Sequence, residues 1–76
     1  MKAIQIRYLG ETNTKGARLK AWTDAGTLIQ SRDYSEDVGQ QARELAKNYI
    51  SKMGWDTGIS GFGQTPNGDY VATLIA

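Results

Sequence analysis

The residues best suited to chemistry lie in the first third of the sequence, where basic side chains alternate with apolar ones around a tryptophan. In the segment RLKAWT, Arg18, Lys20 and Trp22 fall at every second position, so they share one face if the segment is a strand. Arg7, in an earlier alternating segment, and Lys15, near the end of the intervening loop, can join them. Basic groups beside an aromatic ring can grip a phosphate backbone and stack on a base, or anchor a protein interface. The alternative is an ordinary solvated strand face, with Trp22 shielded by the Lys and Arg stems.

The loop at residues 10–16, GETNTKG, is a second candidate contact region. Asn13 lies between Thr12 and Thr14, so the loop can present several hydrogen-bonding groups to a partner. The alternative is a mobile hairpin loop with no role in binding. Together the two regions supply the predicted partner-binding set, which is Arg7, Asn13, Lys15, Arg18, Lys20 and Trp22.

The residue types on which most enzymes rely are missing. The 76 residues include no histidine and no cysteine, which removes the usual neutral-pH acid and base, the nucleophilic thiol and the commonest metal ligands. A nucleophile–base pair would need Ser or Thr beside Lys or a carboxylate, and no such spacing stands out. We therefore expect a non-enzymatic protein with no catalytic residues and no cofactor.

Two further patterns have simpler structural explanations. The glycine-rich run GISGFG at residues 58–63 is followed by neither the Lys-Ser/Thr pair nor the helix of a phosphate-binding loop, so a bend in a strand explains it better. The carboxylates Asp33, Glu36 and Asp37 match no calcium-loop spacing, and helix capping accounts for them. We expect no metal site.

Three strands are predicted before the helix that follows them. Residues 2–9 and 17–23 alternate between apolar and polar side chains, and residues 27–32 do so more weakly. The turn at 24–26 fits a tight hairpin with Gly26 at the positive-φ position. These segments therefore form a meander.

One amphipathic helix is the clearest element. Ser35 is the predicted N-cap, and Glu36 and Asp37 follow in the first turn, where the helix dipole favours negative charge. Gly54 fits the left-handed C′ position, with Trp55 packing back on the helix. The apolar stripe is Val38, Ala42, Leu45, Ala46, Tyr49, Ile50 and Met53. The polar side is assigned Gln41, Arg43, Glu44, Lys47, Asn48, Ser51 and Lys52.

The last third reads as a hairpin, which completes the predicted fold. Residues 57–63 form a glycine-rich strand with a bulge or a sharp bend, and Pro66, Asn67 and Gly68 form a turn. Residues 69–75 form an apolar strand placed inside the sheet beside the first. The prediction is an α+β fold in one domain, residues 1–76, in the order β-β-β-α-β-β. A small antiparallel sheet carries one amphipathic helix on one face, and the other face is left to solvent or to a partner.

The charge is unevenly distributed. The net charge of +1 comes from 9 basic and 8 acidic residues. Residues 1–34 carry six basic and three acidic side chains, whereas residues 35–76 carry three and five. This balance fits neither a strongly basic nucleic-acid binder nor an acidic mimic of DNA. No apolar run approaches the ~18 residues of a membrane span, and the chain leads directly into a strand pattern, so we expect neither membrane contact nor a signal peptide.

Three segments together suggest a family resemblance: YLGETNTKGAR (residues 8–18), KMGW (52–55) and PNGDYV (66–71). The chain resembles a family of small proteins of bacterial phages, plasmids and integrated elements for which no activity is established. The resemblance implies a mobile-element origin and a cytoplasmic site of action in a bacterial host, and it transfers no catalytic residues. In size and architecture the chain is also similar to anti-CRISPR proteins, a class that acts by binding host machinery.

Three functional hypotheses follow from the sequence. The first is an inhibitor of a host defence complex, such as a CRISPR effector, that acts by protein–protein contact. The second is a small nucleic-acid-binding module that uses the basic first half of the chain. The third is self-association through the open sheet face or an edge strand.

Overall fold

A five-stranded antiparallel sheet with one helix forms the fold in a computed structural model, which describes residues 3–11, 13 and 16–75. The elements are β1 (Ala3–Leu9), β2 (Arg18–Thr23), β3 (Gly26–Ser31), α1 (Val38–Met53), β4 (Ile59–Gln64) and β5 (Tyr70–Leu74). The strands lie in the order β3-β2-β1-β5-β4, and every neighbouring pair is antiparallel. The predicted α+β class and element order are confirmed, as is the interior position of β5 beside β1.

The core lies between α1 and one face of the sheet. Alternation along each strand sends every second side chain toward the helix, where apolar burial contributes about 1.5–3 kcal/mol for each large aliphatic side chain. The sheet supplies Ile4, Ile6, Leu19, Ala21, Ala72 and Leu74 to this core. The helix supplies Ala42, Leu45, Ala46, Tyr49 and Ile50, which all belong to the predicted stripe.

Tyr49 ties the C-terminal half of α1 to the β2–β3 turn. Its hydroxyl lies 2.7 Å from Thr23 Oγ and donates to Gly26 O, also at 2.7 Å. Its buried ring meets the Trp55 ring edge-on, with centroids 5.6 Å apart. Gly26 has φ 151°, a value that favours glycine, as predicted from the turn sequence.

The helix begins later than the sequence predicts. Asp37, not Ser35, is the N-cap, and its carboxylate accepts from the N–H groups of Gly39 and Gln40 at 3.0 and 3.4 Å. Ser35 is occupied elsewhere, because its hydroxyl and its N–H both donate to Asp33 Oδ1. The predicted N-cap was wrong. Ser35 and Asp37 are both good capping residues two positions apart, and the Ser35 side chain is used in the local turn with Asp33, which leaves Asp37 to cap the helix.

The C-terminal end of α1 follows the prediction. Gly54 adopts the left-handed conformation, with φ 70°, and its N–H donates to Ser51 O at 3.1 Å. The N–H of Trp55 donates to Ile50 O at 3.2 Å. This is the pairing of a Schellman motif, which satisfies carbonyls that the last turn leaves open.

Gln41 has an unexpected place in the fold. The sequence pattern assigns it to the polar side of the helix, but it is 1% exposed. Its Nε2 donates to Ser31 O at 2.7 Å, and its Oε1 accepts from the N–H of Asp33 at 2.9 Å and from Arg32 Nη1 at 3.0 Å. One amide thus fastens the first turn of α1 to the end of β3.

The final hairpin carries the expected irregularities. The pairing of β4 with β5 shifts between Ile59 and Gly61, which is a bulge. The turn that follows is closed by a bond from the Gly68 N–H to Thr65 O at 2.9 Å, with Gly68 at φ 94°. The bulge makes this edge of the sheet irregular.

Replacing Gln41 tests the buried amide. We expect Gln41→Ala to lower the free energy of unfolding by about 1–3 kcal/mol, because it removes the part-buried bonds to Ser31 O and the Asp33 N–H and leaves a gap where the buried amide was. The control is Gln40→Ala, an exposed neighbour whose Nε2 reaches only Glu44, at 3.3 Å, and which should change stability by less than about 0.5 kcal/mol. Urea denaturation measures both, and equal effects would contradict the assigned role of Gln41.

Candidate functional site

The face of the sheet opposite α1 carries the predicted binding residues. Leu19 and Ala21 point into the core, so the alternating residues of β2 point the other way. The β1–β2 register places Arg7 opposite Lys20, and Gln5 opposite Trp22. We call this surface the open face; its central residues are Gln5, Arg7, Arg18, Lys20, Trp22, Ile29 and Val71.

Two cations lie close to the Trp22 ring on the open face. The Arg7 Cζ is 5.4 Å from a Trp22 ring centroid, and the Lys20 Nζ is 5.3 Å from one. Both distances allow cation–π attraction. The indole is only partly exposed, because these side chains cover some of it. The Arg7 and Lys20 stems shield part of Trp22, and the three side chains also form one mixed basic and aromatic cluster. The binding-face interpretation and the shielded-strand interpretation therefore apply to the same side chains.

Arg7 is held in place by a carboxylate that the sequence analysis did not select. Its Nε donates to Asp69 Oδ1 at 3.0 Å and its Nη2 to Asp69 Oδ2 at 2.8 Å, a bidentate pair. The hydrogen bond and charge of Arg7 hold the pKa of Asp69 below its ordinary value, and the same contact raises the pKa of Arg7. The two residues lie 62 positions apart, so only the pairing of β1 with β5 reveals the contact.

The remaining predicted residues stand apart from this cluster. Arg18 lies opposite Leu9, farther along the open face, and its Nε is buried without a hydrogen-bond partner in the described part of the chain. Asn13 is exposed in the β1–β2 loop, and no described contact joins it to Trp22. Lys15 falls outside the described residues. The structure thus brings together Arg7, Lys20 and Trp22, with Arg18 on the same face.

Apart from the open face, a surface depression that the sequence did not predict lies beside the first turn of α1. Its lining comes from widely separated segments, so no local pattern marks it. The lining residues are Tyr8, Arg32, Tyr34, Val38, Gln64, Gly68 and Tyr70. Tyr34 is 67% exposed, and the Arg32 guanidinium lies 5.0 Å from its ring centroid. Arg32 is also bound by Gln41, so its placement serves the fold.

The described residues offer no metal-binding group of three or more acidic side chains. Of the three carboxylates assigned to helix capping, only Asp37 caps α1, whereas Asp33 accepts from Ser35 in the turn before the helix. Within the same residues, no helix has both the length and the apolar character needed to cross a membrane.

Comparison with protein-family models, curated proteins and solved structures finds no match to this chain. What bears on the function of the open face is therefore its own geometry and charge. It presents two basic groups, Arg7 and Lys20, beside Trp22, with Asp69 bound to Arg7 and Arg18 farther along a surface that α1 leaves uncovered.

The Arg7–Asp69 pair predicts a measurable titration. Because the folded-state pKa of Asp69 is below the ordinary 3.8, its stabilising effect is complete above that value and is lost as the pH falls through the lower folded value. In Arg7→Gln, the carboxyl titration seen by NMR should move up toward the ordinary value. Arg18→Gln is the control and should leave the Asp69 titration unchanged. A low Asp69 pKa that survives Arg7→Gln would contradict the assigned cause.

Proposed function

We propose that this protein is a non-enzymatic binding protein that inhibits a bacterial host complex by docking its open face on that complex. The observation that carries the proposal is the cluster that Trp22 forms with Arg7 and Lys20 on the uncovered side of the sheet. Tryptophan and arginine are the residue types most enriched among those that dominate binding energies.

The cluster is organised before any partner arrives. The Arg7 guanidinium makes two bonds to Asp69 and lies 5.4 Å from the Trp22 ring centroid. Ordering long side chains at an interface costs about 0.5–1.5 kcal/mol for each, and that cost is reduced when the unbound protein already holds them in place. This supports a role in recognition more than a role as an ordinary solvated strand.

The host complex we propose is a defence complex of the CRISPR type, reached in the bacterial cytoplasm. The support is the resemblance of three segments to proteins of phages, plasmids and integrated elements, together with the small cofactor-free architecture. The net charge of +1 favours docking on a protein subunit, or on a seam between protein and nucleic acid, over mimicry of DNA.

Trp22→Ala tests the binding face. We expect this change to weaken capture of the partner at least tenfold in a pull-down from a CRISPR-bearing host, and to abolish any protection of phage in plating assays. Tyr34→Ala is the matched control, because it removes an exposed aromatic residue away from the open face.

The outcome depends on the fold being retained, which circular dichroism and thermal melting establish. Loss of binding in both variants, or retention of binding in Trp22→Ala, would remove the open face as the docking surface. Absence of both a captured partner and a plating difference with the unaltered protein would end the CRISPR version of the proposal.

Binding of nucleic acid is the second candidate, favoured by the three basic groups that share the open face. With Arg7 already paired to Asp69, only two or three phosphates can be neutralised. The logarithm of the affinity should then fall against the logarithm of salt concentration with a slope of about −2 to −3. Gel-shift titrations at several salt concentrations measure it, and absent or salt-independent binding excludes this function.

A further inference from the structure

The two edges of the sheet differ in how they are protected. Edge strands expose unpaired backbone groups, and proteins usually blunt them with charges, proline or bulges. β4 has its bulge between Ile59 and Gly61. The other edge, β3, has the sequence GTLIQS, with no charge and no proline, and its register with β2 is unbroken over six pairs. Ile29 at its centre is 50% exposed.

The direction of the backbone groups in β3 follows from one backbone hydrogen bond just beyond the strand. The Arg32 N–H donates to Ala17 O at 2.9 Å, so this pair is a hydrogen-bonded one. Antiparallel ladders alternate, which turns the backbone groups of Thr27, Ile29 and Ser31 away from β2. The Ser31 carbonyl does point outward, where it accepts from Gln41 Nε2. The open part of the edge is therefore centred on residues 27–29.

We propose that this edge pairs with the same edge of a second copy of the chain, antiparallel, to form a ten-stranded sheet. A two-fold axis perpendicular to the sheet passes beside Leu28. Thr27 then lies opposite the second copy's Ile29, and Ile29 opposite the second copy's Thr27. These two pairs form four backbone hydrogen bonds. The inference concerns the backbone edge of β3, which borders the open face, and it does not rest on the partner-docking proposal.

Charge and hydrogen bonding both favour this register. Continued past the strand, it brings exposed Asp24, in the β2–β3 turn, near the second copy's Arg32, and the symmetry repeats the contact. A register with the two-fold axis beside Ile29 would instead need the Ser31 carbonyl as an acceptor for the second copy, and this carbonyl already accepts from Gln41. Uncharged residues face one another along the rest of the edge, so self-pairing brings no like charges together.

The dimer would also extend the open face. Lys20 is paired with Ile29, and Thr27 with Trp22, within one chain. In the proposed register, a single row on the open side therefore runs from Lys20 through Ile29 to the second copy's Thr27 and Trp22. Both open faces lie on the same side of the joined sheet, and both helices lie on the other.

Sedimentation of the purified full chain over a wide range of concentrations tests the proposal. We expect a monomer–dimer equilibrium, with Ile29→Lys raising the dissociation constant at least tenfold, because the two introduced cations lie diagonally across the axis from each other. Gln64→Lys is the matched control, because it adds the same charge at the bulged edge and should leave the equilibrium unchanged. Asp24→Lys should weaken the dimer, because it places two cations together.

Ile29→Pro separates edge pairing from contact through the open face. Proline removes the outward N–H of Ile29, which has no part in the β2 ladder, so the monomer should stay folded while the dimer is lost. Ile29→Val should retain the dimer. A protein that stays monomeric at every concentration would overturn the proposal. A dimer that survives Ile29→Pro but dissociates in Trp22→Ala would also overturn it.

Discussion

The packing of one helix on one face of a five-stranded sheet is the constraint on which the rest of this structure depends. A chain of 76 residues can build only a small core, and α1 covers only the inner side of the strands. The inner side is therefore apolar, with Ile4, Ile6 and Leu19 fully buried. The outer side contributes little to the core, so its residues are free to be basic or aromatic. The position of Trp22 on that side follows from the burial of its neighbour Ala21.

Two polar side chains set how the helix sits on β3. Gln41 binds the carbonyl of Ser31 at one end of the strand, and Tyr49 binds the carbonyl of Gly26 at the other. Buried polar atoms that are fully bonded specify one arrangement, because any other arrangement leaves them unpaired. These contacts fasten both ends of β3 from the helix side. They leave its outward groups near Ile29 uncovered, so the strand is held firmly while its edge stays open.

The open face is assembled from distant parts of the chain. Arg7 comes from β1, Lys20 from β2 and Asp69 from the turn before β5. The carboxylate does more than balance one charge, because its two bonds orient the guanidinium beside the indole of Trp22. A basic side chain that is already oriented loses less freedom on binding. The electrostatic pair and the aromatic ring therefore act as one preorganised unit, with Arg18 farther along the same face.

The sequence by itself determined the local features: five strands and one helix in order, the left-handed glycine at Gly54, an irregularity in β4, and the shared face of Arg18, Lys20 and Trp22 on β2. The two-residue period of a strand, the 3.6-residue period of a helix and the residue preferences of turns involve only neighbouring positions, so they are visible in the sequence. Only the tertiary structure decided the sheet order, the Arg7–Asp69 pair, the choice of helix cap and the burial of Gln41. Each of these depends on groups brought together from separate segments, and a polar residue such as Gln41 is buried only because the backbone of β3 meets it.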